Sequence, residues 1–205
     1  VSASVVDGKI QLSQQQFFIG AGKDEGRLWQ IPLNSNYGAA PKIMADQTIT
    51  IGDYETLHKD AGEPFRLNVG NNSHFIVKYD DTLLSDILEN IDSIDAISQL
   101  GIIQDLQLLA DAHQISYASI VPLLTKVSDS KSNVVNAALY RTANNLKKFV
   151  TPGSEAEENL KAFFNKLSAN QVARLGWEPK ENESNDDQLT RPYVLNAALY
   201  AKNKD

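Results

Sequence analysis

Phe65-Arg66-Leu67-Asn68-Val69-Gly70-Asn71-Asn72-Ser73-His74-Phe75-Ile76-Val77-Lys78-Tyr79 is the stretch at which the chain changes character. Leu67 and Val69 alternate with Asn68, and Phe75, Val77 and Tyr79 alternate with Ile76 and Lys78. Between the two runs lies Gly70 to Ser73, rich in residues that tolerate turn geometry, so the stretch predicts an antiparallel strand pair. From Leu83 onward, apolar residues recur at helical spacing. The expected architecture is therefore β then α. A small antiparallel β-sandwich would occupy residues 1–80 and an α-helical, solenoid-type domain residues 81–205.

Upstream of that stretch, Ala3–Val6 and Lys9–Gln14 flank Asp7-Gly8, a pair suited to the positive φ angles of a type I′ hairpin turn. Gln15 to Ile19 extends the second strand. Gly20, Gly22 and Gly26 form a glycine-rich loop, but the next segment, Arg27–Leu33, reads as a strand. A dinucleotide-binding loop must open a helix, so the glycines predict a hairpin loop and not a phosphate cradle. Lys42–Ile51 supplies further strand, and residues 52–64 read as polar and irregular.

Downstream, Leu83, Leu84, Ile87, Leu88 and Ile91 mark one helix face, and a second helix capped by Asp92-Ser93 runs to Leu109-Ala110. A third starts near Ser116 with Pro122 in its first turn, and a fourth spans Asn133–Phe149. Ser154 and Glu157 have capping-box spacing at the head of a fifth, and Ala169–Leu175 reads as a short sixth. The acidic run Glu178–Gln188 predicts a solvated loop before a last helix that starts at Thr190 with Pro192 near its first position. The helical array is expected to continue beyond Asp205.

The formal charge of −7 divides into −2 up to residue 80 and −5 after it, and Lys147-Lys148 is the one basic cluster, which argues against a nucleic-acid partner. No run approaches the roughly 18 apolar residues of a membrane span. With no cysteine, disulfides and thiolate chemistry are excluded, and a reducing, cytoplasmic setting is expected. The histidines, His58, His74 and His113, fall in no His-Glu-x-x-His pattern and read as surface or capping residues. Asp105 and Asp111, six residues apart, do not share a helix face, and Asp105 is expected to take an interhelical hydrogen bond or ion pair. Trp29, Trp177, Phe163 and Phe164 read as core aromatics. No catalytic, cofactor-binding or metal-ligating residue is assigned.

Several stretches nevertheless resemble one family in order. Ile10-Gln-Leu-Ser-Gln-Gln-Gln-Phe-Phe18 is similar to an L-x-Q-x-R-F strand, and Leu28-Trp-Gln-Ile-Pro-Leu33 to W-x-I-P-L. Phe65-Arg-Leu-Asn68 with Phe75-Ile-Val-Lys-Tyr-Asp80 is similar to W-x-x-x-N … Y-R-V-x-Y-D. Ile102–Ser116, carrying Asp105, Leu109-Ala110 and Ile115-Ser116, resembles a helix with the same landmarks. Leu175-Gly-Trp177 followed by Leu189–Leu195 resembles L-G-W … L-R-x-x-V-L. The family is the M1 zinc aminopeptidases of the aminopeptidase N type, and the likeness is to their C-terminal region. Gln16, Phe65 and Ile76 depart from the usual Arg, Trp and Arg.

The resemblance implies a β-sandwich followed by the start of a HEAT-like helical domain, placed after a catalytic domain that holds the zinc. The expected function is a non-catalytic part of an enzyme that removes N-terminal residues from peptides. This part would support the catalytic domain of the same polypeptide and limit peptide access, and would be inactive alone. The alternative is an autonomous protein-binding module. A hydrolase built on Asp105 or His113 is the third possibility.

Overall fold

The computed structural model describes residues 1–202. Two compact units result, Val1–Ser116 and a second from Tyr117 onward. The expected boundary at residues 80 and 81 is a change of element type, and it lies within the first unit.

In the first unit, β1 (Ser2–Val6) and β2 (Lys9–Ser13) form the hairpin, with Asp7 at φ 48° and Gly8 at φ 74°. Both central residues have the positive φ that a type I′ turn requires. The strands β3 (Ile31–Pro32) and β4 (Ile43–Met44) form a separate two-stranded ribbon. Strand β5 (Thr48–Asp53) pairs antiparallel with β2, and β6 (Lys78–Tyr79) pairs with β1 in a sheet ordered β5-β2-β1-β6. The β1–β6 pair is parallel, so the sheet is mixed and not wholly antiparallel as expected.

The expected hairpin over residues 65–79 does not form. Asn68, Gly70 and Asn71 all have positive φ, which breaks an extended run. The backbone donors of the segment are satisfied elsewhere. Leu67 N donates to the Tyr79 hydroxyl at 2.9 Å, Asn68 N to Leu33 O at 2.8 Å and Val69 N to Asn34 O at 2.9 Å. The Asn68 side chain closes the loop through Ser73, accepting from its amide and donating to its carbonyl, each at 2.8 Å. Only the last two residues join the sheet. Phe65 and Leu67 remain core residues with Ala3, Ile10, Leu12, Leu33 and Val77. Tyr37 meets Phe65 edge-on at 5.1 Å between ring centroids.

Helix α1 (Tyr54–Ala61) occupies part of the segment expected to be irregular. Its signals are a cap at each end. The Asp53 side chain accepts from Thr56 N, and Gly62 takes a left-handed φ of 67° at the C-terminus. Only Tyr54 is buried, so the helix carries no apolar stripe. Helix α2 (Asp81–Glu89) follows β6 directly, and α3 (Ala96–Asp111) is capped by Asp95, not Asp92. It ends in a Schellman motif: His113 sits at φ 57°, its amide bonded to Ala110 O and that of Gln114 to Leu109 O.

Asp80 joins strand to helix. Its Oδ1 accepts from Leu83 N at 2.9 Å as the N-cap of α2, and its Oδ2 accepts from Val5 N at 2.6 Å. Its own amide donates to Ala3 O, and the Val1 nitrogen donates to Ile76 O at 2.7 Å. The edge of β1 is thus fastened at several points along its length.

The second unit holds α4 (Val121–Lys126), α5 (Asn133–Asn145), α6 (Glu155–Leu175) and α7 (Asn185–Tyr200). Helix α7 packs against both α5 and α6. Pro122 lies in the first turn of α4, as expected. Ser154 caps α6, accepting from Glu157 N, while Glu157 Oε2 accepts from Gly153 N. The two helices expected over 155–175 are one, because nothing between them breaks the pattern. Helix α7 begins earlier than expected, within the acidic run. Ser184 is its N-cap, and Asp186 and Asp187 complement the positive end of its dipole. Pro192 therefore lies inside the helix, where it withholds one backbone donor. The expected continuation past Asp205 lies outside the described residues.

Replacing Asp80 with Ala removes a helix cap and a charge-assisted strand contact together. The expected cost is about 2–3 kcal/mol, read by urea denaturation. Asp80→Asn, which keeps an acceptor, should lose less.

Candidate functional site

Polar side chains gather in two places in the first unit. One is the junction of β6 with α3. Asp105 reaches from α3 to accept from Val77 N at 3.0 Å. Burial pushes its carboxyl up to about 7, against the lowering effects of the Val77 amide and the nearby Val1 ammonium. The Tyr79 hydroxyl, which accepts from Leu67, is raised well above the phenol range by the same burial. Asp105 does make a hydrogen bond, but it joins α3 to a backbone amide beside β6 and is not the interhelical contact expected, because the segment that packs on α3 here is extended.

The second cluster joins α1 to α2. The Tyr54 hydroxyl donates to Asp86 Oδ2 at 3.1 Å, and His58 Nε2 lies 3.2 Å from the same oxygen. The Tyr54 and His58 rings stand 5.6 Å apart. Burial and then the Asp86 charge push the Tyr54 hydroxyl up to about 12, so it stays a neutral donor. A nucleophilic relay needs the imidazole between nucleophile and carboxylate. Here phenol and imidazole both end on the carboxylate, so Asp86 is a shared acceptor that clasps two helices.

Among the described residues of the second unit, the most shielded ion pair lies at the head of α7. Arg191 of α7 meets Glu183 in the preceding loop, with side chains only 8% and 4% exposed. The guanidinium also donates to Leu175 O and Gly176 O, so it caps the C-terminus of α6. The acidic run is in this way partly structural and not wholly a solvated loop. Lys147, from the one basic cluster, has Nζ 3.9 Å from the Tyr200 ring centroid and 4.9 Å from that of Phe164. Burial lowers its pKa.

The remaining candidates are dispersed. His74 and His113 are exposed. Asp105 stands about 9 Å of helix rise from Asp111, and His113 lies beyond the end of α3. Among the described residues, no group of three or more His, Asp or Glu side chains is placed to hold a metal ion. These residues do not fit a zinc centre, which needs three or four converging ligands. No helix follows the glycines at 20, 22 and 26. Phe164 is a core aromatic, but Trp29 and Trp177 are 41% and 37% exposed. Among the described residues, no helix is long and apolar enough to cross a membrane.

One contact had no signal in the sequence. Buried Gln14 donates to Trp29 O at 3.0 Å and to Asp46 O at 3.0 Å, and accepts from Trp29 N at 2.8 Å. It fixes the end of the Gln15–Gln30 segment as a strand partner would. Its partners are distant in sequence, so no local pattern marks it.

The sequence model of the ERAP1-like C-terminal domain matches residues 65–205. Aminopeptidase N of Lactobacillus delbrueckii subsp. lactis is 56% identical over 100% of this chain and 24% of its own length. Aminopeptidase N of Lactobacillus helveticus is 58% identical over 97% of this chain and 24% of its own. Aminopeptidase M1 of Arabidopsis thaliana is 29% identical over 96% and 24% respectively. The chain spans about a quarter of the length of the curated relatives it matches.

The raised acid at Asp105 sets a pH dependence. An acid whose folded pKa, about 7, exceeds its unfolded value near ~3.9 binds extra protons when folded. Its contribution is full below the unfolded value and lost as pH rises through the folded one. Asp105→Asn keeps an acceptor for Val77 and removes the titration. Relative to the natural chain, the variant should gain stability between about pH 4 and 8, by on the order of 1 kcal/mol or more. Urea denaturation at the two pH values checks it, and a constant difference would refute it.

Proposed function

The chain belongs to the ERAP1-like C-terminal domain family, the C-terminal region of the M1 aminopeptidases, and from that premise we propose that it is the non-catalytic support of a zinc-dependent aminopeptidase. In this reading the zinc and the peptide-cleaving residues lie in a catalytic domain of the same polypeptide. The helices contribute the start of a HEAT-like array that limits peptide access, and the strands a sandwich-type base. Substrates are peptides with free N-termini. The cysteine-free composition supports a reducing, cytoplasmic setting.

The observation that carries the proposal is the match over residues 65–205, in relatives of which the chain spans 24%. An exposed apolar surface adds support. Ile19, Leu28 and Trp29 in the irregular Gln15–Gln30 segment are 62%, 53% and 41% exposed. Large apolar side chains left open on a soluble unit mark an interaction surface, and we assign this one to the catalytic domain.

The native polypeptide in its source cells, detected with an antibody to this chain, should have about four times this chain's mass. A band at 22.6 kDa would overturn the proposal in favour of an autonomous binding module. Leu28→Ser with Trp29→Ser should change the stability of this chain by no more than about 0.5 kcal/mol. In the longer polypeptide the same pair should weaken protection of the segment from proteolysis. Equal proteolysis with and without the substitutions would refute the assigned surface.

A further inference from the structure

A small, partly open cavity lies within the first unit, with a volume of about 20 Å³. Its polar lining is Arg66, Asn68, Asn71, Tyr79, Ser98 and Asp105. The Arg66 side chain is 9% exposed. Its Nη2 donates to Glu63 Oε2 at 2.7 Å, and its Nη1 is 3.9 Å from Asp95 Oδ2, beyond hydrogen-bond range. Nε and Nη1 are buried donors without a hydrogen-bond partner. Orphaned donors on a buried cation are costly and need an acceptor.

The cavity decides what that acceptor is. A water needs about 10–15 Å³ of such space and two to four polar partners, so the volume beside Arg66 suits one water. The charges of the lining narrow the choice further. A metal cation would meet the Arg66 guanidinium, and an anion would meet the Asp105 carboxylate. A neutral molecule that accepts on one side and donates on the other matches both.

We propose that this cavity is a structural water site, in which one ordered water accepts from the Arg66 guanidinium and donates to the Asp105 carboxylate. The water makes Arg66 and Asp105 a mediated ion pair across the junction of the 65–79 segment with α3. The Val1 ammonium lowers the Asp105 carboxyl directly, and the Tyr79 hydroxyl feels both Asp105 and Arg66. The Tyr79 oxygen already accepts from Leu67, which leaves its proton to give.

Two measurements on the 205-residue chain test the site. Water-selective NMR should show a long-lived internal water close to the Leu67 amide and the Tyr79 ring. Carboxyl-carbon NMR should show the Asp105 titration midpoint rising in Arg66→Met, because the variant keeps the side chain's bulk and loses the charge that orients the water. Absence of the water, or a midpoint that does not rise, overturns the proposal. Should Arg66→Met fail to fold, the measurement on the natural chain still decides whether the water is there.

Discussion

The carboxylate of Asp80 is the joint on which the first unit depends. One oxygen takes the amide of Val5 on β1 and the other takes the amide of Leu83 in the first turn of α2. A strand edge and a helix start both carry backbone donors that their own element leaves unpaired, and this one side chain satisfies both. The direction of α2 then follows from the direction of β6, because a single residue separates them. Leu83 enters the same core as Ala3, Ile10 and Val77. Asp105 repeats the arrangement from α3, holding the amide of Val77 one residue before β6. Two carboxylates, one on each side of β6, tie the helices to the sheet through backbone donors.

Much of the fold was legible in the sequence, and each misreading has its own physical cause. The hairpin at Asp7-Gly8, the cap at Ser154 and the proline of α4 depend on neighbours a few residues apart, and local pattern finds such features. The strand pair over residues 65–79 misled because alternation reports which side chains are buried, not how the backbone is bonded. Phe65, Leu67 and Val77 are indeed in the core, while the amides of Leu67, Asn68 and Val77 donate to a tyrosine hydroxyl, a loop carbonyl and a carboxylate. Helix α1 was hidden for the opposite reason: it has good caps but almost no buried face. The early start of α7 was masked because acidic residues suit both a solvated loop and a helix N-terminus.

The chemistry was legible mainly as resemblance. Five short motifs in order pointed to the C-terminal region of the M1 aminopeptidases, the family to which the chain belongs. The polar clusters themselves were not legible, because their members are far apart in sequence. Asp86 meets Tyr54 across 32 residues, and Gln14 meets Trp29 and Asp46 across 15 and 32. Each of these side chains serves packing. Asp86 clasps two helices, Arg191 closes the end of α6, and Gln14 anchors an exposed segment. None presents a nucleophile or a set of converging ligands.

The bond from the Val1 nitrogen to Ile76 O continues the parallel pairing of β1 with β6 by one position. A neutral peptide amide in that place makes the same bond, so the contact depends on where the nitrogen stands and not on its charge. The register of β1 against β6 is in this way carried by backbone groups alone, and the side chains on either strand are left free to serve the core.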